Sequence, residues 1–260
     1  MRAEVQNNLV LGMATALAHN PTLAKEPPYF ATVHDNSAVV GCAVRTPPYP
    51  LAITHCDHED ALKPLAEDVF SLYPGLLEVG GPEPAVGAFA DLWASLSRGG
   101  VRRRMRQRIY EIRRVQPLDD LPQGVLRLAT DSDLQIITSW VAGFIKEVGV
   151  SERSDPADLA RDRLKNGSVF VWDDAGPVSM AAWTGKTPNG VRVNFVYTPE
   201  NLRRRGYASA CVAAFTRLLL GKGNKYCCLY TDLANPTSNG IYQRIGYHAV
   251  CDVGQYDLAG

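Results

Sequence analysis

The chain lacks net charge, long apolar runs and any C-x-x-C cysteine spacing, and each absence closes off a class of protein. With 27 basic and 27 acidic side chains its formal charge is zero, whereas general binders of nucleic acid or acidic membranes carry a basic excess. No apolar run approaches the ~18 residues of a membrane-spanning helix. Cys42, Cys56, Cys211, Cys227, Cys228 and Cys251 include no C-x-x-C pair and are too few to staple a chain of 260 residues. They read as reduced, buried thiols of a cytoplasmic protein. What is present, 46% hydrophobic residues, suffices for the core of one domain or two.

Residues 9–18 are apolar, and Ala16-Leu17-Ala18 resembles a signal-peptidase site. Glu4, Thr15 and the modest hydrophobicity argue instead for an amphipathic helix over 5–18, with Val5, Leu9, Met13 and Leu17 on one stripe. Period-two runs and turn residues then predict strands at 29–34, 38–45 and 51–54, a helix at 59–72, a strand at 76–79, a helix at 85–97 and a long strand at 101–115. After a Pro-bounded linker at 117–122 the order recurs: strand 125–129, helices 133–147 and 156–165, strands 169–173, 178–184 and 191–197, helix 205–220, strand 226–232, helix 237–245 and strand 248–256. The predicted class is α/β (α+β). Two lobes, 1–116 and 124–260, each carry a mixed, mostly antiparallel sheet flanked by helices, with 117–123 between them.

Charge is unevenly spread within the neutral total. Residues 1–97 contain only Arg2, Lys25, Arg45 and Lys63 as cations, whereas 98–114 crowd in Arg98, Arg102, Arg103, Arg104, Arg106, Arg108, Arg113 and Arg114. Strand alternation sets Arg102, Arg104, Arg106 and Arg108 on one face, where the acidic surface of the same half or a docked lobe can neutralise them. A nucleic-acid patch is therefore not expected.

The chemistry concentrates in the second half. Strand 191–197 ends at Tyr197-Thr198-Pro199, a turn follows, and a long helix begins near Arg205. The first helical N–H groups have no intrahelical acceptor and favour an anion, and Gly206 and Ala208 allow close backbone approach. Arg203-x-x-Gly206-x-Ala208 after that strand resembles the R/Q-x-x-G-x-G/A motif of the GNAT superfamily of N-acetyltransferases. A second segment, Asn235-Pro236-Thr237-Ser238-Asn239-Gly240-Ile241-Tyr242-Gln243-Arg244-Ile245-Gly246-Tyr247, matches that family's N-x-x-(A/S)-x-x-x-Y-x-x-x-G-F/Y pattern. By itself it reads as a helix capped by Thr237 or Asn235, with Pro236 in the first turn and Tyr247 in the core.

The resemblance implies an acetyl-CoA-dependent N-acetyltransferase with no metal. It implies that the backbone amides of Arg204, Arg205, Gly206, Tyr207, Ala208 and Ser209, led by Arg203, hold the coenzyme A pyrophosphate. Phe195, Val196, Tyr197 and Thr198 would flank the pantetheine arm, with Asn235 and Ser238 nearby. Tyr242 would protonate the departing thiolate. The chemistry fits, because a free thiol has a pKa of ~8.5 and tyrosine ~10, so a neutral phenol can supply that proton. The oxyanion formed by amine attack needs an N–H donor, expected at a bulge in strand 191–197.

No general base is evident. The family branch that acetylates protein N-termini has a glutamate five residues before the motif asparagine, where this chain has Tyr230. Asp232 and Glu147 are the nearby carboxylates, and a primary amine of depressed pKa needs neither. The loop that corresponds in the first half, His55-Cys56-Asp57-His58-Glu59-Asp60, lacks glycine and is acidic. It reads as a polar loop rather than a metal or phosphate site, so the first half is expected to be a degenerate GNAT-like lobe without cofactor. The expected acceptor is a small-molecule primary amine, and a homodimer is the expected assembly. Two other readings stay open: a catalytically silent acyl-CoA-binding sensor or interaction protein, and acylation of a thiol precursor as in the two-lobed mycothiol-synthase-like branch.

Overall fold

A computed structural model describes residues 2–24, 26–149 and 154–259. In the first half, α1 (Arg2–Gln6) and α2 (Asn8–His19) precede β1 (Tyr29–Asp35), β2 (Ala38–Arg45), β3 (Leu51–Ile53), α3 (Leu62–Leu72), β4 (Glu78–Pro82), α4 (Ala85–Ser97) and β5 (Val101–Ile112). The second half holds β6 (Val125–Leu128), α5 (Leu134–Val148), α6 (Pro156–Lys165), β7 (Val169–Asp173), β8 (Pro177–Thr184), β9 (Gly190–Tyr197), α7 (Tyr207–Gly221), β10 (Tyr226–Asp232), α8 (Pro236–Ile245) and β11 (His248–Leu258).

All of these strands join one mixed, mostly antiparallel sheet in the order β1-β2-β3-β4-β11-β5-β10-β9-β8-β7-β6. Only β3 with β4 and β9 with β10 run parallel. The halves do not close separate sheets. Each sends its last strand across, so that β5 lies between β10 and β11 while β11 lies between β4 and β5. The cores follow this exchange. Tyr110 and Ile112 of β5 pack among Phe215, Leu229 and Tyr242 of the second half, and Leu258 of β11 packs among Leu65, Phe89 and Trp93 of the first. By strand alternation, α3, α4, α7 and α8 cover one face of the sheet and α1, α2, α5 and α6 the other.

The arginine run finds its partners on the exchanged strand and on β4 beside it. Arg102 pairs with Asp257, Arg104 with Glu78 at 2.9 Å, and Arg106 and Arg108 with Asp252 at 3.2 and 2.7 Å. Each such partly exposed pair is worth at most about 1 kcal/mol. Together they fix which strand lies beside β5, since the run would repel any neighbour lacking carboxylates.

Several expected elements are corrected. The helix over 5–18 is two helices broken at Asn7, whose Oδ1 accepts from the backbone N–H of His55 at 2.8 Å. The break rotates the buried face, so Asn8, Val10, Gly12 and Leu17 are buried while Leu9 and Met13 are half-covered. Residues 59–61 form a 3-10 turn before α3, β4 starts two residues later than expected and runs to Pro82, and β5 stops at Ile112 rather than reaching 115.

Candidate active site

The site is built where β9 and β10 part. Their parallel pairing runs only from Tyr226↔Gly190 to Cys228↔Arg192. Beyond it β9 bulges against β8, with the register jumping between Ala182↔Asn194 and Met180↔Tyr197. The bulge turns on Phe195, which adopts a φ of +49° and whose N–H donates to its neighbour Asn194 Oδ1 at 2.8 Å. A bulge therefore lies in the strand expected to carry one, open on the side away from β8.

The chain then enters the turn that leads into α7. Arg204 (φ +63°) and Gly206 (φ +81°) are both left-handed, a conformation that costs a non-glycine residue free energy. This winding aims successive amides outward. The N–H groups of residues 204–209 donate to no acceptor among the described residues, and the first return bond is Ala210 N–H to the Gly206 carbonyl at 3.0 Å. Six donors at a helix start make a seat for an anion.

α8 forms the opposite wall. Asn235 is its cap, accepting from the Ser238 N–H at 3.0 Å, and Pro236 opens the first turn. Gly246 ends the helix at φ +107°, where a Cβ would stand 2.8 Å from Gln116 Cγ. Asn239 braces the helix from behind: its amide donates to the carbonyls of Asp232 and Asn235 at 2.8 and 2.7 Å, and its Oδ1 accepts from the Tyr110 hydroxyl at 3.0 Å. Gln243 Nε2 donates to the same hydroxyl at 3.1 Å. A residue of the exchanged strand thus supports the helix that carries Tyr242.

A cleft of about 590 Å³ joins these parts. Val196, Tyr197, Thr198, Arg203, Arg204, Gly206, Tyr207, Ala208, Ser209, Asn235, Ser238, Tyr242 and Glu147 line it. Tyr242 is nearly buried, its ring edge against Tyr247 at 5.9 Å, and its hydroxyl has no hydrogen-bond partner among the described residues. Burial pushes its phenol well above the ordinary tyrosine range. Tyr247 lies in the core as expected, with its hydroxyl on Thr216 at 2.8 Å.

Three expected residues stand elsewhere. Phe195 points into the core between the Phe144 ring (4.8 Å) and the Arg163 guanidinium (4.1 Å), because the bulge reverses the alternation that would have set it beside the cofactor arm. The Arg205 side chain turns back to the Asn201 carbonyl at 3.3 Å, outside the cleft. Asp232 closes the turn before α8, accepting from the Ala234 N–H at 2.8 Å. Glu147 does reach the cleft, but Arg203 Nη2 donates to both of its oxygens, at 2.6 and 2.8 Å. Tyr230 lies on the other face of the sheet, where its hydroxyl accepts from Asn8 Nδ2 at 3.0 Å.

Leu202, Thr237, Ile241 and Arg244 also line the cleft. Ile241 and Arg244 continue the i, i+3 row begun by Ser238, so the helical period alone marks them.

The equivalent place in the first half is closed. Past the Ala52↔Gly80 pair, a Cβ on Gly81 would stand 2.6 Å from the Ile53 carbonyl oxygen, which leaves no gap between β3 and β4. In the following loop His55 pairs with Asp57 at 2.9 Å, His58 with Asp35 at 3.8 Å, and the buried Cys56 thiol donates to the His58 carbonyl. All six cysteines are free thiols, and among the described residues no helix is long and apolar enough to cross a membrane.

Residues 172–253 match the family model described as FR47-like protein. No curated protein matches the sequence significantly. Among solved structures, a GCN5-related N-acetyltransferase from Kribbella flavida superposes with a TM-score of 0.63 at 15% identity, over 96% of both chains. A GCN5-related N-acetyltransferase from Sphaerobacter thermophilus gives 0.63 at 12%, covering 100% of this chain and 94% of that one. A GNAT-family acetyltransferase from Colwellia psychrerythraea gives 0.59 at 11%, covering 88% and 85%.

Proposed function

From the GNAT fold that spans this chain and the FR47-like segment within its second half, we propose an N-acetyltransferase that moves an acetyl group from acetyl-CoA to the primary amine of a small molecule. The observation that carries the reading is the meeting, in one cleft between parted parallel strands, of a tyrosine hydroxyl and the amides of Arg204, Gly206, Tyr207, Ala208 and Ser209, none with an acceptor or partner among the described residues. The amides of residues 204–209 hold the pyrophosphate, and Val196, Tyr197 and Thr198 flank the arm that reaches toward the bulge. The amine nitrogen attacks from the far face of the sheet and bonds to the acetyl carbon, the thioester C–S bond breaks, Tyr242 gives its proton to the sulfur, and the proton lost by the acylated nitrogen returns through water to the phenolate. Calorimetry with coenzyme A, and thiol release from acetyl-CoA over an amine panel, test this directly. Absence of both binding and release would overturn it.

Arg204 and Arg244 face the cleft without an ion pair among the described residues. Arg204→Ala and Arg244→Ala are each expected to weaken coenzyme A binding roughly three- to tenfold, and by less at high salt because both side chains are exposed and screened. Titration calorimetry at two salt concentrations measures this.

With Asp232 committed to a turn and both Glu147 oxygens facing Arg203, the described residues offer no uncommitted carboxylate to the amine. The amine must arrive deprotonated. kcat/KM should therefore rise with pH and level off near the acceptor's own pKa, and the inflection should move when an acceptor of different pKa is used. An inflection that stays fixed across acceptors would instead reveal a titrating group of the protein.

A further inference from the structure

The side chain of Arg203 does more than border the anion seat. It reaches back past the end of β9, with Nε donating to the Thr198 carbonyl at 2.9 Å and Nη2 to both oxygens of Glu147 in the last turn of α5. Its guanidinium lies 5.7 Å from the Tyr197 ring centroid, and the Tyr197 hydroxyl is 3.4 Å from Glu147 Oε1. α5 can come this close because Gly143 faces Tyr197: a Cβ there would stand 2.5 Å from the hydroxyl oxygen. The next residue, Phe144, packs its ring against Phe195 at the bulge, with centroids 4.8 Å apart. Three parts therefore converge on one ion pair: the amide-lined loop, the bulged end of β9, and the helix that covers the opposite face of the sheet.

A carboxylate with both oxygens held by a guanidinium is badly placed to take a proton from an incoming amine, and well placed to fix the distance between two segments. We propose that Glu147 is a positioning residue that, through Arg203, ties α5 to the anion-binding loop, so that loop geometry and the acceptor-side helix are set together. The role in turnover rests on the acetyltransferase reading; the tie itself does not. Arg203 Nη1 makes no hydrogen bond among the described residues, so the tie persists while Arg203 still faces the cleft.

The test uses the full chain with Glu147→Gln, Arg203→Met and the double variant. An exposed ion pair adds little to global stability, so the melting temperature should hold and show that each variant folds. In free protein, amide hydrogen exchange should quicken about fivefold in Glu147→Gln at 143–149 and at 210–213, the first hydrogen-bonded amides after the anion-binding loop. Coenzyme A should bind about fivefold more weakly and the acceptor KM should rise similarly, while kcat and the pH profile stay as in wild type. The double variant should be no worse than the weaker single one, as expected of two residues acting as one unit. Unchanged exchange at 210–213 would overturn the tie. A hundredfold loss of kcat with unchanged coenzyme affinity would overturn it in favour of a general base. If wild type neither binds coenzyme A nor releases thiol, the function reading fails, and the exchange experiment, which needs no ligand, still decides the tie.

Discussion

Tyr242→Phe is expected to lower kcat for thiol release about a hundredfold while coenzyme A binds within about twofold of wild type. General acid catalysis contributes roughly 10²–10⁴ in rate. The lower end applies because a thiol of pKa ~8.5 is already a fair leaving group. The substitution removes one atom. The ring keeps its place against Tyr247, and no protein hydrogen bond is lost because the hydroxyl has no partner among the described residues, so stability should hold. Burial raises the phenol's pKa, and the sign matters: the proton is retained beyond the pH at which an exposed tyrosine would lose it. Wild type should therefore show no loss of rate from Tyr242 ionisation near pH ~10. Stopped-flow thiol detection beside calorimetry separates the two quantities. Equal turnover by both proteins would remove Tyr242 from the chemistry, and parallel loss of affinity would make it a binding residue.

What was legible in the sequence was local. The cap at Asn235, the stop at Gly246 and the turn at Gly206 are each written in residues a few positions apart, so their geometry could be expected before any tertiary contact was known. What was not legible depended on distant partners. Val193-Asn194-Phe195-Val196-Tyr197 reads as plain alternation, and nothing in it marks the bulge that sends Phe195 inward, because the bulge is set by how β9 meets β8. Asn7 breaks the first helix without proline or glycine, through a bond to His55 far along the chain. Glu147 could be named as a carboxylate near the site, but only the fold shows Arg203 closing on it. The arginine run pointed to neutralising carboxylates, but not to the two faces they occupy: a bulge in the pairing with β11 sets Arg102 and Arg104 against Asp257 and Arg106 and Arg108 against Asp252 on the other face. That most of these carboxylates lie on β11, at the other end of the chain, could not be read from β5 alone.

The exchange of β5 and β11 leads to the second large effect: a fragment holding only residues 124–260 should fail to unfold cooperatively and should bind no coenzyme A, although it contains every residue lining the cleft. Without β5, β10 and β11 lose the strand between them and expose unpaired edges. The second-half core loses Tyr110 and Ile112, both about 1% exposed, and α8 loses its brace at Asn239 and Gln243. α1 goes too, taking Val5 from its place against Tyr226 and Cys228. Those losses exceed the ~5–15 kcal/mol that separates a folded protein from its unfolded chain. Tyr110→Ala in the full chain is the milder form, expected to cost about 3–5 kcal/mol from the vacated volume, with weaker coenzyme A binding as α8 loosens. Circular dichroism melts and calorimetry on both proteins measure these effects. Supplying residues 1–123 as a separate chain should restore folding and binding to the fragment, because what it lacks is a strand in the middle of its own sheet. A fragment that melts cooperatively alone and binds like the intact protein would mean that β11 can close the second half without its neighbour, and that the first half is an appendage to the site rather than part of its frame.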